Sequence, residues 1–203
     1  MNDRCSWALG SALMTEYHDT EWGRPSRDDA YLFEQLLLEG AQAGLSWSTV
    51  LNKRENYRAA LDGFDVRAIA GYGQDKLDEL MADAGIIRNR LKVASTVRNA
   101  QAFLTVQDEF GSFADYLWEF AGGEPIVNNP LPGEALPAST PLSDRISKDL
   151  KRRGFKFVGT TIVYAYLEAV GVVDDHVKGC PAKPLSRPAR GRAAGRAASR
   201  PSR

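Results

Sequence analysis

The sequence predicts an all-α fold, on three observations. Apolar residues recur at helical spacing in one segment after another, side chains that cap helix N-termini and glycines that end helices punctuate those segments, and no run shows sustained strand alternation. No repeat period is visible. With 203 residues, 43% of them hydrophobic, the chain can bury a substantial core. No apolar run approaches the roughly eighteen residues of a membrane span, and the N-terminus MNDRCSWALGS lacks the basic-then-apolar layout of a secretion signal. A cytoplasmic protein with no membrane partner is the expectation.

Taken in order, the first segment, RCSWALGSALMTEYHDTEWGRP, is dense in aromatic and polar residues without a clear period, which predicts an irregular arm or lid. Ser26 with Asp29 resembles a capping box and opens a helix over 28–44; Ser46 caps a second over 46–61 that ends near Gly63. Asp65 caps a short helix through Ala70, and a further helix from Gln74 to Ala84 is stopped by Gly85. Over 88–109 the apolar set Leu91, Ala94, Val97, Phe103 and Leu104, continued by Phe110, follows a helical stripe. Ser112 with Asp115 starts a short helix through Phe120, ended by Gly122 and Gly123. Five prolines in residues 122–141 exclude regular structure and predict a surface loop between two lobes. Ser143 opens a helix to Arg153, and Val158 to Val170 forms a last apolar helix closed by Gly171. After Cys180 the composition turns to Pro, Ala, Gly, Ser and Arg, too poor in apolar surface to order itself. The reading is one helical domain over 1–185 and a disordered tail over 186–203.

Charge is laid out asymmetrically. The whole chain is formally neutral, and six of its arginines (187, 190, 192, 196, 200 and 203) lie in that tail without any acid, which leaves residues 1–185 at −6. A basic tail of this kind gives weak, salt-sensitive contact with nucleic acid, or is solvated without a role.

The two cysteines and two histidines fall into two pairs, Cys5 with His18 and His176 with Cys180. Two thiolates and two imidazoles are the donors of tetrahedral zinc, and four protein ligands leave no position for water, so the metal would be structural. It would fasten the N-terminal arm to the end of the last helix and so order Tyr17 and Trp22, which flank His18.

Within the helix over 28–44, Leu32, Leu36 and Ala43 share a face with Glu39. A carboxylate on an apolar face must be paired, solvated or neutralised. The common outcome is an acid that reaches solvent or a neighbouring arginine. The alternative is a ligand, and Trp47, eight residues on, offers a flat aromatic wall that together with the acid suits a nitrogen heterocycle.

The two helices joined around Gly85-Ile86-Ile87 make a helix-hairpin-helix candidate. Such a turn offers backbone N–H groups to a DNA phosphate, with Arg88, Asn89, Arg90 and Lys92 as side-chain donors. Plain helix packing uses the same pattern.

Several long segments, RCSW, YHDTEWGRP, LEGAQAGLSWSTVLNKRENYR, DAGIIRNRLK, RRGFKFVGTTIVY and DDHVKGC, resemble the bacterial DNA-3-methyladenine glycosylase I family over nearly the whole chain to Cys180. That resemblance implies a helix-hairpin-helix DNA glycosylase fold, with a structural Zn(2+) on Cys5, His18, His176 and Cys180 joining the N- and C-terminal segments. It also implies a base pocket of Tyr17, Trp22, Glu39 and Trp47, with Glu39 in the catalytic role. The implied partners are double-stranded DNA containing alkylated bases, gripped at Gly85, Ile86, Ile87, Arg88 and Arg90, and free 3-methyladenine as product; the protein is expected to be a monomer. Members of the wider superfamily use an Asp after the hairpin helix, whereas VRNAQAFLTVQ has no carboxylate until Asp108; the turn also keeps only Gly85 of the usual Pro-Gly-Ile-Gly. No lyase lysine is evident. Two other readings are a zinc-stabilised helical DNA-binding protein without catalysis, which leaves Glu39 and its aromatic set without a task, and a zinc hydrolase, which needs a water-bearing metal.

Overall fold

The structure is a computed structural model and describes residues 4–183; the arginine-rich tail lies outside them. A 3-10 turn over Ser6–Gly10 leads into α1 (Ala12–Thr20), followed by α2 (Asp29–Gln42), α3 (Trp47–Leu51), α4 (Arg54–Ala60), a 3-10 turn (Asp62–Phe64), α5 (Val66–Ala70), α6 (Gln74–Ala82), α7 (Arg90–Phe110) and α8 (Phe113–Glu119). A strand β1 (Ile126–Val127), helices α9 (Pro141–Arg152) and α10 (Thr160–Ala169) and a strand β2 (Val173–Asp174) follow. Among the described residues the fold is all-α apart from that two-residue parallel ladder, which pairs Ile126 with Val173 and Val127 with Asp174.

Helix α2 is the axis of the core. Leu32, Phe33, Leu36, Leu37 and Leu38 are buried on it, as are Gln35 and Glu39, so no side of its second half faces water. Helices α3, α7, α8 and α10 pack around it. An amphipathic surface helix has one apolar stripe; a helix enclosed on all sides carries its polar residues inside as well. A second, smaller apolar cluster joins Cys5, Met14, Tyr17, Trp22, Leu51 and Cys180, and so ties the N-terminal arm to the other end of the chain.

Several expectations are corrected. The arm is not irregular: α1 is a nine-residue helix, and the Ser11 hydroxyl accepts the Met14 N–H at 3.2 Å. It buries Met14, Tyr17 and His18, three positions on one helical face, but two of them are polar, which hides the period from a hydropathy reading. Asp28, not Ser26, caps α2, and Asp29 instead reaches across to accept the backbone N–H groups of Phe113 and Ala114 at 2.8 Å each, capping α8 from outside. The helix over 46–61 is two helices, broken at Asn52 and Lys53; the Lys53 ammonium leaves the helical surface to meet the Ala84 and Gly85 carbonyls at 3.1 and 3.0 Å. Helix α9 starts two residues earlier than expected, with Pro141 at its first turn and Thr140 in a capping box with Ser143. The proline-rich segment is exposed as expected, yet Ile126 and Val127 do form a strand, because residues 126–128 are free of proline and can pair with residues 172–174.

The last helix is locked to the arm by a close backbone crossing. Gly23 N–H donates to the Glu168 carbonyl at 2.9 Å and Ser26 N–H to the Val170 carbonyl at 3.0 Å. Gly171 sits there at φ +71°, where a Cβ would lie 2.2 Å from the Arg24 carbonyl carbon and 2.3 Å from the Pro25 nitrogen. Both the left-handed backbone and the contact demand glycine. Gly171→Ala is expected to cost about 3 kcal/mol or more, lowering the melting temperature by on the order of 10 °C, as calorimetry would measure.

Candidate active site

Helices α1, α2, α3 and α10 enclose a cleft of about 520 Å³, open at one end and lined by Trp7, Tyr17, Trp22, Glu39, Gln42, Trp47, Leu136, Ala165 and Glu168. All four residues expected to form a base pocket, Tyr17, Trp22, Glu39 and Trp47, line this one cleft. Each arrives by a local device. Tyr17 stands on the buried face of α1, Glu39 lies near the end of α2, and Trp47 opens α3 behind the Ser46 cap. Gly44, at φ +79°, turns the chain between α2 and α3. The rings of Tyr17 and Trp47 lie 5.1 Å apart at 45°, and those of Trp7 and Trp22 lie 5.0 Å apart edge to face.

Among the described residues, the cleft is lined by acids and by no cation. Glu39 is 3% exposed, and among the described residues its Oε2 has no hydrogen-bond partner; the indole N–H of Trp47 is also buried without one. Burial alone pushes the Glu39 carboxyl up to about 8. The nearest buried arginine is committed elsewhere, since Arg54 donates to Glu21 at 2.8 Å and Glu34 at 2.6 Å. Across the cleft, burial and then Asp175 and Glu39 push the half-buried Glu168 up to about 9. An aromatic-walled slot whose orphaned groups are an acid and an indole N–H suits a flat, positively charged ligand that offers both hydrogen-bond donors and an acceptor.

The sequence reading missed Trp7, Gln42, Leu136, Ala165 and Glu168. Glu168 was legible by the criterion that found Glu39, an acid inside an apolar helix, TIVYAYLEAV. Leu136 comes from the proline-rich segment and carried no signal.

Behind the cleft, ligand atoms of Cys5, His18 and Cys180 lie within 4.8 Å of one another, all buried. His176 stands beside them, its ring centroid 4.8 Å from that of His18. Each imidazole turns Nδ1 towards a carboxylate at 2.8 Å, His18 to Asp19 and His176 to Asp174. That leaves the Nε2 atoms facing inwards: Cys180 Sγ lies 3.6 Å from that of His18, and that of His176 is buried with no partner among the described residues. Carboxylate-oriented imidazoles beside two thiols match the surroundings of protein zinc ligands.

In the hairpin of α6 and α7, most backbone groups are already used. The Gly85 N–H donates to Asp83 at 2.6 Å and the Ile87 N–H to the Tyr57 hydroxyl at 3.2 Å, while Ile86 is buried. Asn89 caps α7, accepting from Leu91 and Lys92 N–H groups, and the Lys92 ammonium donates to the Ala41 and Ala43 carbonyls at 2.8 and 2.6 Å. The Lys92 ammonium is therefore not the free side-chain donor that the sequence suggested, whereas the Asn89 cap uses only its amide oxygen. Arg88 and Arg90 are exposed.

The methyladenine glycosylase family model matches residues 7–183. The chain is 46% identical over 186 residues to the DNA-3-methyladenine glycosylase 1 of Escherichia coli (strain K12), a match spanning 92% of this chain and 100% of that protein. It is 44% identical over 183 residues to the DNA-3-methyladenine glycosylase of Haemophilus influenzae (strain ATCC 51907 / DSM 11121 / KW20 / Rd), spanning 90% and 99%. The solved 3-methyladenine DNA glycosylase I from Staphylococcus aureus, described for its recognition of 3-methyladenine, superposes with a TM-score of 0.88 at 35% identity, covering 92% of this chain and 99% of that one.

The raised Glu39 carboxyl has a consequence for stability. Its folded value, about 8, lies above the ordinary carboxylate value, so the folded state holds the proton more tightly, and stability falls as pH rises from the unfolded value through about 8. Glu39→Gln removes that dependence. Against this variant the wild-type protein should lose on the order of 4 kcal/mol between pH 4.5 and 8.5, followed by denaturant unfolding at each pH; parallel curves would contradict the burial of Glu39.

Proposed function

The chain belongs to the methyladenine glycosylase family, and on that premise we propose that it is a monofunctional DNA N-glycosylase that excises 3-methyladenine from alkylated DNA, leaving an abasic site. The observation that carries the reading is the partnerless Glu39 carboxyl inside an aromatic cleft. Methylation at N3 of a nucleotide makes the purine cationic. Its glycosidic bond then breaks with the electron pair passing to the base, which leaves neutral while water supplies the hydroxyl at C1′ and releases a proton. The leaving group needs no protonation, so recognition is the larger task.

Recognition follows from charge. With its carboxyl near 8, ionising Glu39 at pH 7 costs about 1.4 kcal/mol. Attraction to a cation about 4 Å away at an effective dielectric of 20 is worth about 4 kcal/mol. A flipped cationic base therefore draws Glu39 into its charged form, whereas neutral adenine does not offset the cost. Tyr17, Trp22 and Trp47, with Trp7, supply faces for stacking on the ring.

The helix-hairpin-helix assignment rests on α6, α7 and the Gly85-Ile86-Ile87 turn. Since the Gly85 and Ile87 N–H groups are engaged within the protein, the grip on phosphate is assigned to Arg88 and Arg90, the turn acting as their mount. We assign a monomer acting in the cytoplasm, a reducing compartment that suits two free thiols.

The proposed cofactor is structural Zn(2+), held by Cys5, His18, His176 and Cys180. When bound it supplies cross-linking rather than chemistry. It joins α1, which carries Tyr17, to the chain after α10, and so fixes one wall of the cleft. The support is the donor set, with both imidazoles oriented by carboxylates and the His176 Nε2 lacking a partner among the described residues.

Two measurements test these readings. Release of free 3-methyladenine from methylated DNA is expected for the wild type, with kcat/KM roughly 100-fold lower for Glu39→Gln; release within fivefold of wild type would remove Glu39 from recognition. Metal analysis should find one zinc per chain, and its removal by a chelator should lower the melting temperature by on the order of 10 °C; a metal-free protein insensitive to chelator and to Cys180→Ser would refute the site.

A further inference from the structure

The turn between α2 and α3 brings Trp47 to the cleft, yet it has little packing of its own. A Cβ at Gly44 would meet nothing within 4 Å, and Leu45 is 43% exposed. Lysines fasten it. The Lys92 ammonium donates to the carbonyls of Ala41 and Ala43 at 2.8 and 2.6 Å, two acceptors that lie between Glu39 and Trp47 in the chain. Lys53, beyond the far end of α3, donates to the Ala84 and Gly85 carbonyls at 3.1 and 3.0 Å. The stretch that bears Trp47 is thereby tied at both ends to the unit formed by α6 and α7.

Where Lys92 stands in its own helix supports a task outside that helix. It is the third residue of α7, in a first turn whose dipole disfavours a cation. Helix α2, by contrast, ends in carbonyls that have no partner within the helix, and there a cation is favoured. Lys92 is half-buried and does not line the cleft, so it acts on a base only through what it holds. Resting on the reading of this cleft as a methylpurine pocket, we infer that Lys92 is a positioning residue: by holding the Ala41 and Ala43 carbonyls it fixes Trp47 relative to Glu39, and so sets how well the aromatic wall and the acid meet a flat cationic base together. Pockets of this kind are sensitive to such placement, since a shift of about 1 Å in a supporting element is enough to cost one or two orders of magnitude. The contrary reading is a lysine that contacts a DNA phosphate.

The test uses Lys92→Met, which keeps the apolar stem and removes the ammonium. The variant should bind free 3-methyladenine, followed by tryptophan fluorescence, about tenfold more weakly, and should excise it about tenfold more slowly from methylated DNA saturated with enzyme. Its binding to undamaged duplex DNA should keep the wild-type salt dependence, whereas loss of a phosphate contact would lower the slope by about one. A role in stability alone would leave the base affinity of the folded protein unchanged. Lys92→Arg, which can donate to the same two carbonyls, should return base affinity to within about threefold of wild type. Melting curves identify folded variants, and where Lys92→Met does not fold, Lys92→Gln decides by the same readings. Wild-type base affinity and excision in the deciding variant would overturn the inference, as would a reduced salt slope or an Arg variant as impaired as the Met variant. A wild-type protein that neither binds nor releases 3-methyladenine would instead overturn the methylpurine reading itself, and this inference with it.

Discussion

The structure depends on an unpaired carboxyl group placed inside its central helix. Helix α2 is enclosed by α3, α7, α8 and α10, and in such a position an acid costs several kcal/mol unless it is neutralised or paired. Cations stand close by in sequence and in space, but they are held apart from it: Arg54 is bound to Glu21 and Glu34, and Lys92 to the carbonyls of Ala41 and Ala43. The fold therefore keeps Glu39 protonated and ready to ionise, where a salt bridge would have quenched it. An acid already paired with arginine would gain little from a cationic base.

The walls of the cleft come from both ends of the chain, and the packing reflects that. Trp7 and Tyr17 precede α2, Ala165 and Glu168 belong to α10, and the arm crosses the end of α10 at Gly171 closely enough to exclude any side chain. The buried Cys5, His18 and Cys180 cluster lies just behind the aromatic wall: Trp22 packs on the His18 ring at 5.8 Å and on the His176 ring at 4.6 Å. The aromatic wall is thus packed directly against the Cys/His cluster. Lys92 makes a comparable link on the other side, joining the first turn of α7 to the chain that leads from Glu39 to Trp47.

Much of this was legible in the sequence where a residue type has one physical reading. Ser46, Asp65 and Ser112 cap the helices they were expected to cap, and the helical stripe over 88–109 marks α7 to within about two residues at each end. The acid at position 39 declared itself because an apolar face gives a carboxylate so few outcomes. Legibility failed where a residue's partner lies far off in sequence. Asp29 looked like part of a local capping box and instead caps α8, more than eighty positions away; Lys92 looked like a phosphate donor and is consumed by the α2 terminus. The short strand at Ile126 was hidden by the prolines around it, and α1 by the polar residues on its buried face.

A body of net charge −6 over residues 1–185 is at first sight a poor partner for a polyanion. The distribution resolves this, because screening at physiological salt confines each charge to within about 8 Å, so the local surface decides. The acids of this molecule are extensively spent on arginines and helix caps, as Glu21, Glu34, Asp29, Asp149 and Glu109 illustrate. Arg88 and Arg90, by contrast, stand exposed at the hairpin turn with the adjacent backbone already satisfied, so their charge is available to an outside partner. The two acids of the cleft are withdrawn from the surface field as well, since both hold protons near neutral pH. Near neutral pH, therefore, neither acid of the cleft adds to the negative field around the exposed Arg88 and Arg90.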